Sequence, residues 1–223
     1  VTAIAYNAAG LIASEAAAVT VIRRVAASAP KPRLHVLAIG IDRYEVGRFR
    51  LNFAVADATG LTRALSAAGR DVYSEVNVVT VLDGQATRDG IEAAFKGMAA
   101  QVRPEDTFVF FLAGHGKTED GEFHFLPVGF GAAGDASVTA GGIASRQWQD
   151  WFASVPALKS VLLFDACESG SMAVRGIERS TAMDRLIKAT GRTIITAAAE
   201  TEAANEGYRG HGIFTYAVLD GLA

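Results

Sequence analysis

Two short stretches of the sequence decide the predicted fold: SVLLFDACESGS, residues 160–171, and TFVFFLAGHG, residues 107–116. Each begins with an apolar run typical of a strand that is buried on both faces of a parallel sheet, and each ends in small and polar residues. In open parallel α/β sheets, ligand crevices form at the carboxyl ends of the strands. We therefore expect His115 and Cys167, the single cysteine of the chain, to lie at one edge of a sheet.

A thiol beside an imidazole is typical of covalent catalysis. The imidazole of His115 would take the thiol proton, and the thiolate of Cys167 would attack a carbonyl carbon. The backbone N–H of Gly116, with that of Cys167, could then stabilise the developing oxyanion, because glycine has no side chain in the way. A lone cysteine is more often a small buried hydrophobe. The catalytic interpretation depends on both residues standing next to glycine at strand ends.

These motifs resemble those of the caspase-like cysteine peptidases. The cysteine motif reads Asp165-Ala-Cys-Glu-Ser-Gly, and the His-Gly pair of His115 stands about 50 residues upstream, as in that family. Asp165 stands where animal caspases have Gln, which is similar to metacaspases and their bacterial relatives, the orthocaspases. The resemblance extends over about residues 33–223 and includes HVLAIGIDRY, LNFAVADATGLTRAL and GHGIFTYAVLDGL.

The resemblance implies a fold and an activity. The fold is a three-layer α/β sandwich with a mainly parallel central sheet, which the alternation of strands and helices along the chain also favours. The activity is that of a cysteine endopeptidase acting on protein or peptide substrates, with His115 as general base and acid and Cys167 as nucleophile.

The resemblance also implies a substrate preference. Metacaspases pair the aspartate at the position of Asp165 with a second one, from the motif matching Ala56-Asp57-Ala58. Two carboxylates suit a guanidinium through charge-assisted hydrogen bonds, so we expect cleavage after Arg or Lys. The alternative is that Asp165 bonds nearby backbone amides and that Asp57 supports the N-terminus of its helix.

Residues 171–190 are predicted to be exposed and to be cut by the enzyme itself. The segment has no strong periodicity, and relatives in the resembled family are often cleaved between the cysteine-bearing part and the closing strand. Four basic residues offer cleavage positions: Arg175, Arg179, Arg185 and Lys188.

Composition bounds the remaining possibilities. The chain has 223 residues, half of them hydrophobic, so it can bury one sizeable core. A net charge of −3 without a long basic run argues against nucleic-acid or anionic-membrane partners. No stretch approaches the roughly 18 apolar residues of a membrane span, and no signal-peptide pattern is present. We expect a cytoplasmic protein, and, since the sequence does not begin with Met, a fragment of a longer chain.

Residues 1–32 are predicted to be the remnant of an upstream β domain and its linker, and residues 33–223 the peptidase domain. Apolar residues alternate at Val1, Ala3 and Ala5, and a second β-like run follows at residues 18–22. The alanine-rich middle of this segment could instead be helical. The proline-bearing AASAPKP, residues 26–32, has the composition of a linker.

Local patterns predict the elements of the peptidase domain. The expected strands cover residues 34–41, 72–82, 107–112, 161–164 and 192–197, and the expected helices residues 53–68, about 88–102, about 146–155 and 212–222. A hairpin should turn at Glu119-Asp120-Gly121 with His124 facing solvent, and residues 128–142 should form a mobile loop. Thr87, Ser145 and His211 are the expected helix caps, with His211 exposed.

No cofactor is predicted. Some metacaspases need calcium, and the acidic loops could bind it, but the sequence contains no D-x-[DN]-x-[DN]-G loop. One alternative function is a catalytically silent caspase-like signalling or scaffold module. Another is a flavodoxin-like or Rossmann nucleotide binder, which the stretch Gly40-Ile41-Asp42-Arg43-Tyr44 disfavours because no G-x-G-x-x-G follows the first strand.

Overall fold

The computed structural model describes residues 2, 3, 14, 17, 18, 31–132, 134, 137–168, 192–197 and 207–222, with the backbone alone for 2, 3, 17, 18 and 166–168. The chain divides into two compact units, Val1–Pro30 and Lys31–Ala223. In the first unit, strand β1 (Thr2–Ala3) pairs antiparallel with β2 (Ala17–Ala18), so a short N-terminal β segment is present. Its origin in an upstream domain stays a prediction, as does the domain boundary.

The second unit is built on a mainly parallel sheet. Its parallel strands, in spatial order, are β4 (Val76–Leu82), β3 (Leu34–Gly40), β5 (Thr107–Glu119), β8 (Lys159–Glu168) and β9 (Thr193–Thr196). Strand β6 (Glu122–Phe125) pairs antiparallel with the end of β5, and β7 (Ile143–Ala144) pairs with β6. The strand order reverses between β3 and β5, which is where ligand crevices form in such sheets.

Helices cover both faces of this sheet. Helices α1 (Ala54–Gly69) and α5 (Ile213–Leu222) pack on one face, and α2 (Arg88–Gln101) and α4 (Ser145–Ser154) pack on the other. All seven residues of β3 are buried, as expected of a strand covered on both sides. The predicted three-layer α/β architecture is confirmed. Among the described residues, no helix is both long and apolar enough to cross a bilayer.

Several local predictions are confirmed. The hydroxyl of Thr87 accepts a hydrogen bond from the N–H of Gly90 at 3.0 Å and so caps α2. The hairpin between β5 and β6 turns at Asp120 and Gly121, both with positive φ, as a two-residue type I′ turn requires. The aromatic residues of α4, with Phe95 of α2, fill the core on that face of the sheet: Trp148, Trp151 and Phe152.

Other local predictions are wrong. Strand β4 begins at Val76 instead of Val72, because residues 70–75 turn the chain and leave Val72 exposed. Ser145 is the first residue of α4 and not its cap, since its hydroxyl donates to the carbonyl of Phe123.

The region after the hairpin is more tightly packed than predicted. His124 is buried instead of facing solvent, because Gly142 packs directly against its Cβ. The described part of the expected mobile loop contains a short helix, α3 (Val138–Gly141), and three buried apolar side chains. These are Val128, Phe130 and Val138, whose burial shows that this part of the loop is packed into the core.

Candidate active site

His115 and Cys167 are Cα partners on the neighbouring parallel strands β5 and β8. Such strands lie about 4.8 Å apart. Both strands run further than the apolar pattern predicts, because β6 pairs with the end of β5 and the β5–β8 ladder continues to Gly116 and Glu168. The two residues therefore lie within strands and not just beyond them. The thiol of Cys167 is outside the described side chains.

The protonation of the His115 ring follows from one hydrogen bond. Its Nε2 lies 2.7 Å from the carbonyl oxygen of Phe49, and a carbonyl can only accept a hydrogen bond. Nε2 must therefore carry the proton. In the neutral ring, Nδ1 then holds the lone pair and is the atom that can take a proton from a thiol.

Phe49 is held by the loop between β3 and α1. It ends a single 3₁₀ turn, Gly47–Phe49, and its ring packs against the rings of His115 and Phe130. Asp42 ties down both ends of this loop: its carbonyl accepts from the N–H of Leu51, and its carboxylate accepts from the N–H of Ala54 at 2.8 Å, at the start of α1. The carbonyl that orients His115 is thus fixed by the end of β3 and the start of α1.

Tyr44 is a second contact of His115. Its hydroxyl accepts a hydrogen bond from the backbone N–H of His115 at 2.8 Å, and the two ring centroids are 5.0 Å apart. Burial raises the pKa of this phenol well above its usual value, so it stays neutral. A side chain at Gly114 would meet the Tyr44 hydroxyl and the Phe125 ring at 2.9 Å, which accounts for glycine before the histidine.

Gly116, predicted to contribute to an oxyanion hole, also lies within a strand. Its Cα partners are Phe125 of β6 and Glu168 of β8. Its oxyanion role, shared with the N–H of Cys167, stays a prediction.

Asp57 and Asp165 converge on Gly212. A Cβ atom at Gly212 would lie 3.0 Å from Oδ2 of Asp57 and 3.2 Å from Oδ2 of Asp165. Asp57 is buried in the first turn of α1, and Asp165 is half-buried on β8. The N–H of Gly212 donates to both carboxylate oxygens of Asp57, at 3.1 and 3.2 Å. The structure thus brings together the two aspartates that the sequence singled out.

Side chains from the closing segment, residues 207–222, also form hydrogen bonds with Asp57 and Asp165. Nδ1 of His211 lies 2.8 Å from Oδ1 of Asp57, and the hydroxyl of Thr215 donates to Oδ2 of Asp165 at 2.9 Å. His211 is therefore a partner of Asp57 and not an exposed cap. Thr215 is fully buried, whereas Ile213 at the start of α5 is 55% exposed.

Burial shifts the pKa of both carboxyl groups in the same direction. Burial raises the pKa of Asp57 to about 6, although the hydrogen bonds from His211 and Gly212 oppose the shift; the nearby charge of Asp165 adds to it. Burial likewise raises the pKa of Asp165, against the hydrogen bond from Thr215. Two partly buried groups of like charge favour a cation between them.

A surface cavity of about 290 Å³ lies beside the carboxyl ends of β3 and β4. Asp83 on its wall accepts hydrogen bonds from the N–H groups of Asp42 and Arg43 and from the Arg43 side chain. Among the described residues, no group of three or more His, Cys, Asp or Glu could hold a metal ion. The cavity is lined by Asp42, Arg43, Arg50, Leu51, Asn52, Val55 and Asp83.

Sequence reasoning missed three groups at these sites: the hydroxyl of Tyr44, the carbonyl of Phe49 and the imidazole of His211. Tyr44 and His211 stand in two of the stretches that carry the family resemblance, HVLAIGIDRY and GHGIFTYAVLDGL, and this was the signal available. A backbone carbonyl such as that of Phe49 has no sequence signal.

Comparisons with known proteins agree with this architecture. The structure resembles that of protein GSU0716 from Geobacter sulfurreducens, with a TM-score of 0.59 and 17% identity over 85% of this chain and 81% of that one. It also resembles the Drosophila initiator caspase Dronc, with a TM-score of 0.54 and 14% identity over 86% of this chain and 65% of that one. At these identities the likeness shows a caspase-like fold.

A search of curated proteins found no similar sequence. The model of the caspase domain matches residues 33–223, which is most of the chain. The chain therefore belongs to the caspase domain family, Peptidase_C14.

Proposed function

We propose that this protein is a cysteine endopeptidase that uses His115 and Cys167 as a catalytic dyad. The observation that carries the proposal is the pairing of these residues on neighbouring strands. The bond from Nε2 of His115 to the carbonyl of Phe49 supports it, since it leaves Nδ1 as the basic atom. Membership of a peptidase family is consistent with this activity.

The proposed reaction has two halves. Nδ1 of His115 takes the thiol proton, the thiolate attacks the peptide carbonyl, and the backbone N–H groups of Gly116 and Cys167 stabilise the oxyanion. His115 then gives its proton to the leaving amine, and a thioester remains. Water, activated by the same imidazole, hydrolyses the thioester and restores the thiol.

Two variants test the dyad. Cys167→Ala and His115→Ala should each lower kcat/KM by several orders of magnitude, as loss of a nucleophile or its base does elsewhere. A peptide-derived thiol electrophile should label the parent and fail to label Cys167→Ala, and circular dichroism should show that both variants are folded. A loss of only a few fold would contradict the assignment, and an unlabelled, inactive parent would favour a silent scaffold.

We further infer that the enzyme is of the metacaspase or orthocaspase type and cleaves after Arg or Lys. The convergence of Asp57 and Asp165 on one point supports this specificity, because two carboxylates can bind a guanidinium. Matched fluorogenic peptides ending in Arg, Lys or Asp should be compared on the parent, Asp57→Asn and Asp165→Asn enzymes.

The two variants should lose most of the preference for Arg. Asp220→Asn removes an exposed carboxylate of α5 and is the matched control, expected to behave as the parent. Faster cleavage after Asp, or an unchanged Arg preference in both site variants, would show that the specificity is wrong even if the dyad is right.

Cleavage after basic residues would extend to the protein itself. Residues 171–190 hold four basic residues and lie outside the described part of the chain. Mass spectrometry should find fragments cut within this segment in the purified parent and none in Cys167→Ala. A parent that is active on peptides but stays uncut after long incubation would contradict self-processing.

A further inference from the structure

The acidic pair, Asp57 and Asp165, already accepts hydrogen bonds from donors of the protein itself. Asp57 accepts from the imidazole of His211 at 2.8 Å and from the N–H of Gly212, and Asp165 accepts from the hydroxyl of Thr215 at 2.9 Å. A guanidinium offers the same kind of chemistry, several N–H donors in one plane. The closing segment thus makes the contacts that a basic ligand would need.

These contacts also block access. The side chain of Asp57 is 4% exposed, whereas that of His211, which lies against it, is 24% exposed. His211 occupies Oδ1 of Asp57 in this arrangement, so a ligand can replace it at that oxygen only if the imidazole moves. The ring of His211 fits there because α1 has glycine at position 60: a Cβ at Gly60 would lie 2.7 Å from Cε1 of His211.

The turn that carries His211 is small and self-contained. The backbone N–H groups and carbonyls of Tyr208 and His211 bond to each other at 3.0 and 3.2 Å, which closes the turn. Tyr208 and Arg209 are exposed, and their side chains contact Tyr216 of α5, not the acidic pair. Releasing the imidazole from Asp57 therefore leaves these contacts of the turn intact.

We propose that His211 is a specificity-determining residue, which occupies Asp57 in competition with the basic side chain of the substrate. This inference rests on the proposed role of Asp57 and Asp165 in binding that side chain. In this role His211 weakens the binding of every basic ligand. A substrate therefore needs further contacts along its chain to displace the imidazole. The opposite role, in which His211 only orients Asp57 for the ligand, predicts an effect of opposite sign.

Binding of agmatine, an arginine without its carboxylate, tests the inference without any catalytic step. Calorimetric titrations are made on Cys167→Ala protein, with and without His211→Ala. Loss of the competitor should tighten agmatine binding by about tenfold, because apparent affinity rises with the fraction of sites that are open. Adding Asp57→Asn to the Cys167→Ala protein should weaken binding.

Two further variants complete the test. Gly60→Ala should also tighten binding, because its methyl group displaces the imidazole without removing it. Arg209→Gln, in the same turn, removes a positive charge that does not contact the acidic pair and should leave the Kd unchanged. An unchanged or larger Kd in His211→Ala would overturn the inference.

Failure of this inference and failure of the proposed specificity are distinguishable. If the parent prefers Arg peptides and agmatine binds no tighter without His211, the inference alone is wrong. If agmatine does not bind to any of these proteins and Arg peptides are not preferred, the acidic pair is not a substrate site, and both are wrong.

Discussion

At the scale of single residues, His115 is held at its ring and at its backbone by different groups. The carbonyl of Phe49 sets the ring tautomer, and the hydroxyl of Tyr44 accepts the backbone N–H. The sequence predicted the histidine because glycines and an apolar strand surround it. It did not predict the two partners, since one is a backbone atom and the other lies 71 positions away.

Replacement of Tyr44 by Phe tests how far this support matters for catalysis. The variant keeps the ring but removes the acceptor of a buried N–H, a change that costs about 1 to 3 kcal/mol in other proteins. We expect a lower thermal midpoint and a kcat reduced about tenfold with little change in KM, because the imidazole is less well positioned. A kcat equal to that of the parent, at a temperature where both are folded, would show that Tyr44 is structural.

The charge of Asp57 predicts how the KM of basic substrates depends on pH. Burial raises the pKa of this group to about 6, so the carboxylate that attracts a cation is present above that pH and is lost below it. The ionisable groups acting on it are Asp165 from β8 and His211 from the segment before α5. We expect KM for an Arg peptide to rise as the pH falls through about 6.

The control is a peptide that carries citrulline, a neutral analogue of Arg, in the same position. Its KM should change little over the same pH range. A parallel change for both peptides would mean that the pH effect does not come from the acidic pair.

At the scale of elements, the contact between α1 and β3 is unusually close. A Cβ at Gly40, the last residue of β3, would lie 2.4 Å from the carbonyl oxygen of Ala54 at the start of α1. The helix start carries Asp57, and the loop before it carries Phe49. Gly40 therefore sets the distance between the sheet and two groups of the candidate sites.

Gly40→Ala should destabilise the protein by about 1 to 3 kcal/mol, because overpacking forces the backbones apart. Gly97→Ala in α2 is the matched control: its Cβ would meet nothing within 4 Å, so it should stabilise the protein by about 0.5 to 1 kcal/mol through helix propensity. The free energies of unfolding come from urea titrations. Equal effects of the two substitutions would contradict the packing argument.

The elements that the sequence predicted well are those whose surroundings are uniform. The strand that begins at Leu34 is buried on both faces, and the apolar stripe of α2 faces one layer, so composition and period suffice. His124 was placed wrongly because alternation assigns it to solvent. In the structure it packs against Gly142, which follows α3 and is 18 residues away in the sequence.

At the scale of the whole molecule, the parallel strand order brings distant segments to one edge of the sheet. His115 and Cys167 meet through the β5–β8 register, and Asp57 meets His211 over 154 positions of sequence. The apolar runs that end in Gly-His-Gly and Asp-Ala-Cys predicted the first pair, and the family resemblance predicted the two aspartates. His211 stands in a stretch that carries the resemblance, but its partner was not predicted, because a long-range side-chain contact leaves no periodic pattern in the sequence.

At the amino ends of the parallel strands, a cluster of charged residues connects the start of β3 to the start of β5. Asp106 accepts hydrogen bonds from the backbone and side chain of Arg33 and from the N–H of Arg103, and its Oδ2 lies 3.4 Å from Nε2 of the fully buried His35. Burial opposes ionisation of Asp106, but these bonds more than offset it and hold the pKa of the carboxyl below its usual range. Burial, aided by the charge of Arg33, lowers the pKa of His35.

The lowered pKa values of His35 and Asp106 both make the fold less stable in acid, starting at two different pH values. The unfolded chain protonates His35 near pH 6.5 whereas the folded protein resists it, so this contribution decreases as the pH falls below about 6.5. The contribution of Asp106 is present above about pH 3.8 and is lost below it. Asp57, whose pKa is raised, acts in the opposite sense between about pH 4 and 6, so the difference between parent and variant is the informative quantity.

We therefore expect His35→Leu to remove the decrease in stability below about pH 6.5 and to leave the decrease below about pH 3.8. Urea unfolding midpoints measured from pH 7.5 to 4.5 should fall more steeply for the parent than for His35→Leu, because the leucine has no proton to gain on unfolding. The loss of stability below about pH 3.8 should remain in His35→Leu, since this variant retains Asp106 and Arg33. Parallel curves throughout the upper window would mean that His35 binds its proton equally in the folded and unfolded states, in which case burial of this imidazole does not limit the acid stability of the domain.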